Sequence, residues 1–458
     1  MSESPAEIKR IHWSDVFAFT AVFRSFRMAL DWKTLLLAFF GLFVTYLGGR
    51  TLDLVWASSH MPIVSASHVS ELDAYAAGGR VGAKQFIKEH DDRKDSRRVG
   101  AFALLLQHAR VTANRAMHGV MALNPGEVLG AIYGAALATL WLVSVHPLYG
   151  ALFVLLKLSV WALFGGAACR VAMMRAARDE RIPLSEALAF ARARFGSLLL
   201  APALGFGVVL IAGLVLMLFG LVGAIPWVGD LVVGLLFGLV IAAALGIAFI
   251  LIGACAGMPL VYPAIAAEGS DPFDALNRSV SFIYEHPWRS ALYFGAATVY
   301  GAICLLFVKF FVRLGLAAAA LFLGATMNLG GATAGATKLP DGVGKLTAVW
   351  QAPTLTFDSA FVGRFDEHEV GGMSRFSRFL IKGWLYAVWG LVAAFAISFY
   401  YAAASIVYLL LRREADATDM EDVFVDDYPA EALAAAPAPA GNAPAAQGGG
   451  LNLPVIGQ

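Results

Sequence analysis

The sequence predicts an all-α, polytopic transmembrane helix bundle of about six or seven spans, with two short interfacial elbow helices set in an internal repeat and a disordered C-terminal tail. Three observations predict it. The 458 residues are 59% hydrophobic and only 15% charged, against roughly 25% charge in a soluble domain. Several apolar runs approach or exceed the ~20 residues that cross ~30 Å of hydrocarbon. Polar islands punctuated by proline separate those runs, at 170–197 and 268–288.

The elements follow in order. Residues 1–33 interleave Trp13, Phe17, Phe19, Phe23 and Phe26 with Lys9, Arg10, Arg24, Arg27 and Lys33, a pattern suited to a helix lying in the membrane interface. Residues 34–56 form the first apolar segment, spanning or re-entrant because Arg50 and Asp53 interrupt it. Residues 57–126 are a polar extramembrane region with the charge-dense run "KEHDDRKDSRR" (88–98) and a helix at about 100–122. His60, His68, His90, His108 and His118 fall here without metal-ligand spacing, so solvated side chains are expected. The transmembrane bundle occupies 127–411, with spans at 127–145, 148–170, 198–223, 231–256, 289–328 and 382–411 and a polar loop at 329–379. From Arg412 an acidic stretch, "EADATDMEDVFVDDY", gives way to Ala/Pro/Gly low complexity through 458. That composition cannot bury enough apolar surface to fold.

The two islands are copies of one unit. "GGAACRVAMMRAARDERIPLSEAL" (165–188) aligns with "GACAGMPLVYPAIAAEGSDPFDAL" (253–276) without gaps at an offset of 88, matching Glu186-Ala187-Leu188 to Asp274-Ala275-Leu276. The repeat halves run over about 148–223 and 231–310. In the second copy Asp271 suits an N-cap, Pro272 the first helical position and Asp274 the reciprocal partner of a capping box. In the first, Pro183 opens the helix, with Ser185 and Glu186 in its first turn. Leu184, Ala187, Leu188 and Ala191 share one face, as do Phe273, Leu276 and Val280. Helices this short cannot cross a bilayer, so they should lie flat, with Arg192, Arg194 and Arg278 facing water or lipid phosphates. Pro287 and Trp288 mark the return to the apolar phase. Glu268, Asp271, Asp274, Glu285 and His286 offer a competing metal or acid–base reading, but capping already accounts for the two aspartates.

Motifs that carry chemistry are scarce. "LPDGVGKLT" (339–347) lacks the spacing of a phosphate loop, and no nucleophile elbow, paired-histidine motif or dinucleotide fingerprint occurs. No cofactor, metal or enzymatic activity is therefore expected. A net charge of +1 with no basic face argues against nucleic acid. Cys169, Cys255 and Cys304 read as small buried hydrophobes. About thirty mixed polar residues precede the first apolar run, so no cleaved leader is expected. Charges inside apolar runs are costly and often functional, which singles out Lys157, Lys309 and Arg313. Lys157 is expected to snorkel to the interface, and Lys309 with Arg313 to end a span.

Six arginines against three acidic residues put 170–197 in the cytoplasm, together with the second elbow and the tail. Counting back across three spans puts the basic N-terminus outside, where its charges do not belong. A non-spanning first segment removes the conflict.

The elements "EGSDPFDALNRS" through "HPWR" (268–289), "LSEALAFARAR" (184–194) and "YLLLRR" with "TDMEDV" (408–423) carry a resemblance. Over most of 15–425 the chain resembles an uncharacterised family of bacterial multi-pass integral membrane proteins. Over about 148–310 it is more distantly similar to the membrane domain attached to some glycerophosphodiester phosphodiesterases. Neither resemblance implies active-site residues here, and the soluble phosphodiesterase barrel is missing, so no hydrolase activity follows. The leading expectation is a non-enzymatic scaffold or accessory component of a bacterial inner-membrane envelope assembly. Besides the lipid bilayer, its loop at 57–126 and acidic C-terminal tail would engage a protein partner, with "LNLPVIGQ" as a docking peptide. The alternative is a transporter or lipid-handling protein with a site between the repeat halves, near Lys157 and Lys309.

Overall fold

Asp31 holds an extended backbone and accepts a hydrogen bond from the Lys33 amide, so the first long helix starts beside it. The computed structural model describes residues 18–57, 60–91, 96–327, 333–334, 337–338, 345–353, 363, 365 and 372–424. A 3-10 turn (Ala18–Phe23) leads into α1 (Arg24–Ala29), followed by α2 (Trp32–Val55). Strand β1 (Ile63–Val64) precedes α3 (Glu71–His90), which Ser70 and Asp73 open with a capping box. Strand β2 (Arg97–Arg98) pairs antiparallel with β1, Ile63 opposite Arg98. Then come α4 (Ala101–Met121), α5 (Pro125–Val145), α6 (Pro147–Arg178), α7 (Leu184–Ala193), α8 (Phe195–Gly223) and α9 (Val228–Glu268). The chain continues through α10 (Pro272–Glu285), α11 (Pro287–Met327), a two-residue ladder β3 (Thr333–Ala334) and β4 (Thr337–Lys338), α12 (Lys345–Val349) and α13 (Gly372–Asp416).

Among the described residues seven helices are long and apolar enough to cross a membrane: α2, α5, α6, α8, α9, α11, and α13 from Arg375 onward. The protein is an all-α polytopic bundle. The core lies around α13, whose Tyr408, Leu409, Leu410 and Leu411 are almost fully buried with Met173 of α6, Phe190 of α7, Leu198 of α8 and Ile265 of α9. Of the most apolar window of α13, 83% is buried, against none for α9. The outer reach of α9 thus presents its side chains outward, as lipid-facing helices do.

The elbows recur as a unit. Helix α6 ends at Asp179 and α9 at Gly269, both left-handed (φ 55° and 61°). A left-handed residue ends a helix and turns the chain, at least cost with glycine. The next helices open 88 residues apart, at Leu184 and Pro272, from N-caps of the same backbone conformation (φ −67°, ψ 155° at Pro183; φ −69°, ψ 158° at Asp271). The capping chemistry departs from expectation. Asp271 stands at the N-cap with Pro272 behind it, but its side chain makes no cap bond and Asp274 closes no capping box. Pro183 is itself the N-cap.

Polar contacts fix which helix ends lie together. At the elbow end, Lys33 Nζ donates to the Ile182 carbonyl (2.7 Å) and Arg175 pairs with buried Asp31. At the far end, Asp53 accepts from the amides of Phe102 (3.0 Å) and Ala103 (3.1 Å) and from the Tyr149 hydroxyl (2.7 Å). Helix α2 therefore runs the whole length of α6, antiparallel to it. Of the region expected outside the membrane, Ala101–Met121 packs lengthwise on α5. His108 Nε2 donates to the Gly134 carbonyl (3.1 Å), and His118 Nδ1 meets Glu127 (3.1 Å) beside the turn. With 21 residues, α4 is about 31 Å long and lies alongside α5.

Two further boundaries shift. Cys169 and Cys304 are buried as expected, but Cys255 is exposed on α9. Helix α13 passes through Arg412 and Arg413 to Asp416, and residues 417–424 fold back onto the elbows, so order extends past 412. The stretch 425–458, with its acidic remainder and "LNLPVIGQ", lies outside the described residues, as does most of 339–347.

Candidate functional site

Helix α6 presents Phe153, Val154, Lys157, Leu158 and Trp161 along one face, at the spacing of successive turns. That face looks into a chamber of about 980 Å³ walled by α2, α4, α5, α6, α8, α9 and α13. Leu105, Ala109 and Ala113 of α4, Ala131 and Ala135 of α5 and Phe206 of α8 make most of the wall apolar. Small side chains on α4 and α5 leave the space open. Its polar groups are few: Thr45, His108, Thr112, Thr139, Lys157, and the phenols of Tyr262, Tyr400 and Tyr401.

Those groups differ in how they are satisfied. Thr45 and Thr139 return their hydroxyls to carbonyls four residues back, and His108 holds Gly134. Tyr262 stacks on Tyr401 (centroids 6.2 Å, interplanar 8°), and neither these phenols nor that of Tyr400 makes a hydrogen bond among the described residues. Lys157 is open to the chamber and makes no hydrogen bond or ion pair among the described residues. Among the described residues no Asp or Glu lines the chamber. Its chemistry is that of an apolar chamber with one lysine.

The second polar constellation sits at the elbow end. Glu268, at the end of α9, accepts from Arg278 (2.8 Å) and Tyr408 (2.6 Å), and Arg412 Nε lies 3.3 Å from the same oxygen. Arg278 also reaches Asp416 (3.3 Å). Its burial works against the charge, yet the combined fields of Glu268, Tyr408, Asp416 and Asp274 outweigh that and hold the guanidinium above its ordinary pKa. The returning segment is fastened through its backbone. Arg170 donates to the carbonyls of Ala266 (2.6 Å) and Phe424 (2.8 Å), Arg178 to those of Glu421 (3.0 Å) and Val423 (3.2 Å), and the Phe424 amide to Ala267 (2.8 Å). This is structural cross-linking: the carboxylate is saturated by cations.

The residues singled out in the sequence are thus scattered among different roles. Lys157 lies inside the chamber rather than snorkelling. Lys309 and Arg313 sit on α11, which contributes nothing to the chamber lining, and α11 continues past both to Met327. Arg192 is exposed as expected, whereas Arg278 is tied to carboxylates and Arg194 lies over the Phe424 ring (5.5 Å). Glu186 is half-buried in the first turn of α7, and Asp271 is exposed. Among the described residues no three His, Cys, Asp or Glu side chains cluster as metal ligands, so Glu268, Asp271, Asp274, Glu285 and His286 are not brought together as a site. Sequence reasoning saw Asp53 only as an interruption of the first apolar run and missed the tyrosine group and the buried Glu71, which accepts from Trp141 (3.3 Å) and lies 3.0 Å from His146 Nε2. Only the His146-Pro147 break hinted at the last of these. Comparison of the chain with family models, curated proteins and solved structures finds no match.

Proposed function

We propose that this integral membrane protein handles a lipid-like guest held within the bundle. The observation that carries the reading is the chamber: about 980 Å³, at the upper end of the ~300–1,000 Å³ usual for ligand sites, apolar in its walls, and shared by α6 and α8 of one repeat half and α9 of the other. It supports the transport or lipid-handling alternative over the scaffold. The scaffold reading rested on two free arms. The described part of the 57–126 region is instead folded on the bundle, and the acidic segment as far as Phe424 is seated on its own elbows.

The test is to fill the space. Ala109 and Ala135 are exposed to the chamber from α4 and α5, so Ala109→Trp and Ala135→Trp add bulk without displacing a packed neighbour. Native mass spectrometry of the full chain should show a co-purifying lipid mass that both variants lose, with thermal unfolding unchanged. A chain that carries no lipid, or Trp variants that keep it, would end this reading.

The fold also supports a topology. Helix α4 makes an eighth crossing, kept below the hydropathy of its neighbours by Arg110, Arg115, His108 and His118. Residues 18–31, both elbows and residues 412–424 then share one face, the arginine-rich cytoplasmic one, in a bacterial inner membrane.

A further inference from the structure

Resting on the chamber reading, we propose that the guest carries a single anionic head, a carboxylate or phosphate on an apolar chain, and that Lys157 is its counter-ion. Lys157 stands ten residues into α6, about 15 Å from the far-end start of that helix by the 1.5 Å rise. Arg170, where the helix meets the polar elbow contacts, is about 20 Å further on. No lysine side chain spans either distance, so the amine stays near mid-depth. A charge there is expensive unless it is paired or wet, and here the protein withholds the pair. Lys157 has no ion pair or hydrogen bond among the described residues, and no carboxylate lines the chamber.

The contrast with the other deep cations sharpens the argument. Arg175 has Asp31, Arg170 has two carbonyls, and Arg110 has the face of Trp389 (5.0 Å). Each of those charges is answered by the chain itself. Lys309 also has no ion pair among the described residues but lies off the chamber; among the described residues it is Lys157 that faces a space wide enough for a guest without a partner to neutralise it. The wall selects what may bring the anion: alanine, leucine and phenylalanine side chains reward an apolar chain and offer a small hydrated anion little. The phenols of Tyr262, Tyr400 and Tyr401 line the same space nearer the elbow end, where Tyr401 packs on Gly165.

The experiment measures equilibrium binding of radiolabelled palmitate, hexadecyl phosphate, hexadecanol and acetate to the delipidated full chain in detergent. Palmitate or hexadecyl phosphate should bind about tenfold more tightly than hexadecanol, the equivalent of one charge-assisted bond, and acetate should not bind. Lys157→Gln should erase that preference, Lys157→Arg should keep it, and Lys309→Gln should leave it untouched. Thermal unfolding of each variant confirms that it is folded. Equal binding of acid and alcohol to the native chain, or a preference that survives Lys157→Gln, would overturn the headgroup assignment. If Ala109→Trp still abolished binding in that case, the chamber reading would stand. Saturable acetate binding would replace the amphiphile by a free anion. If no chain-bearing probe bound, the chamber reading itself would fall.

Discussion

The carboxylate of Asp53 is the most economical device in the molecule. Helix α4 begins at Gly100, which has no side chain to cap it. The first-turn amides of Phe102 and Ala103 are met instead by a carboxylate from α2, where the positive end of the helix dipole favours it. The same oxygen that takes Phe102 takes the Tyr149 hydroxyl, tying α2, α4 and α6 at one point. A Cβ at Gly100 would collide with the Asp53 carboxylate, so the glycine and the aspartate fit as a pair. Asp53→Ala should therefore cost about 2–4 kcal/mol, the range for leaving buried partners of a charged group unsatisfied, and Asp53→Asn less because an acceptor remains. Thermal unfolding in detergent reads this directly, and an Asp53→Ala chain that melts like the native one would refute the capping role.

At the scale of elements, the elbows were legible because their signals are local. Proline, an acidic turn and apolar spacing lie within one helix, and the two helices start where the 88-residue offset puts them. What failed was the detail of side-chain bonding. Asp271 keeps its N-cap position while its carboxylate stays outside the cap, and the carboxylate doing the organising is Glu268, whose partners Tyr408 and Arg412 come from α13. The packing of helix α4 along α5 was illegible for the same reason. Its arginines and histidines looked like solvent-facing groups because their answers, Trp389 and Gly134, are distant in sequence. The returning segment 417–424 makes the same point, since nothing in "ATDMEDVF" announces that its backbone carbonyls satisfy Arg170 and Arg178. A chain truncated after Asp416 should lose about 2 kcal/mol or more from those charge-assisted bonds and gain early tryptic cuts at Arg170 or Arg178. Unchanged melting and an unchanged tryptic pattern would show the segment to be ornamental.

The whole molecule turns on how many times it crosses the membrane. The polar contacts put Lys33, Ile182, Asp416 and Phe424 at one end and Asp53, Glu71, Tyr149 and His146 at the other. With α4 crossing, the α4–α5 turn falls at the elbow end. In a chain whose native cysteines are replaced by alanine, a cysteine at Leu123 should react with impermeant maleimide from the same side as one at Arg192. One at His60 should react only from the opposite side. Labelling of Leu123 and His60 from one side would remove the eighth crossing. The basic N-terminus, which a seven-span count strands outside, then needs no exception.

The burial of α13 has a consequence for biogenesis. Helices leave the ribosome in sequence order, and the helix at the centre of this bundle is made after those it packs against. It packs against α1, α2, α6, α9 and α11, so those earlier helices enclose a furrow that its insertion closes. Until then Glu268 lacks Tyr408 and Arg412, and Arg170 lacks the Phe424 carbonyl. Those contacts are completed only once α13 and residues 417–424 are in place.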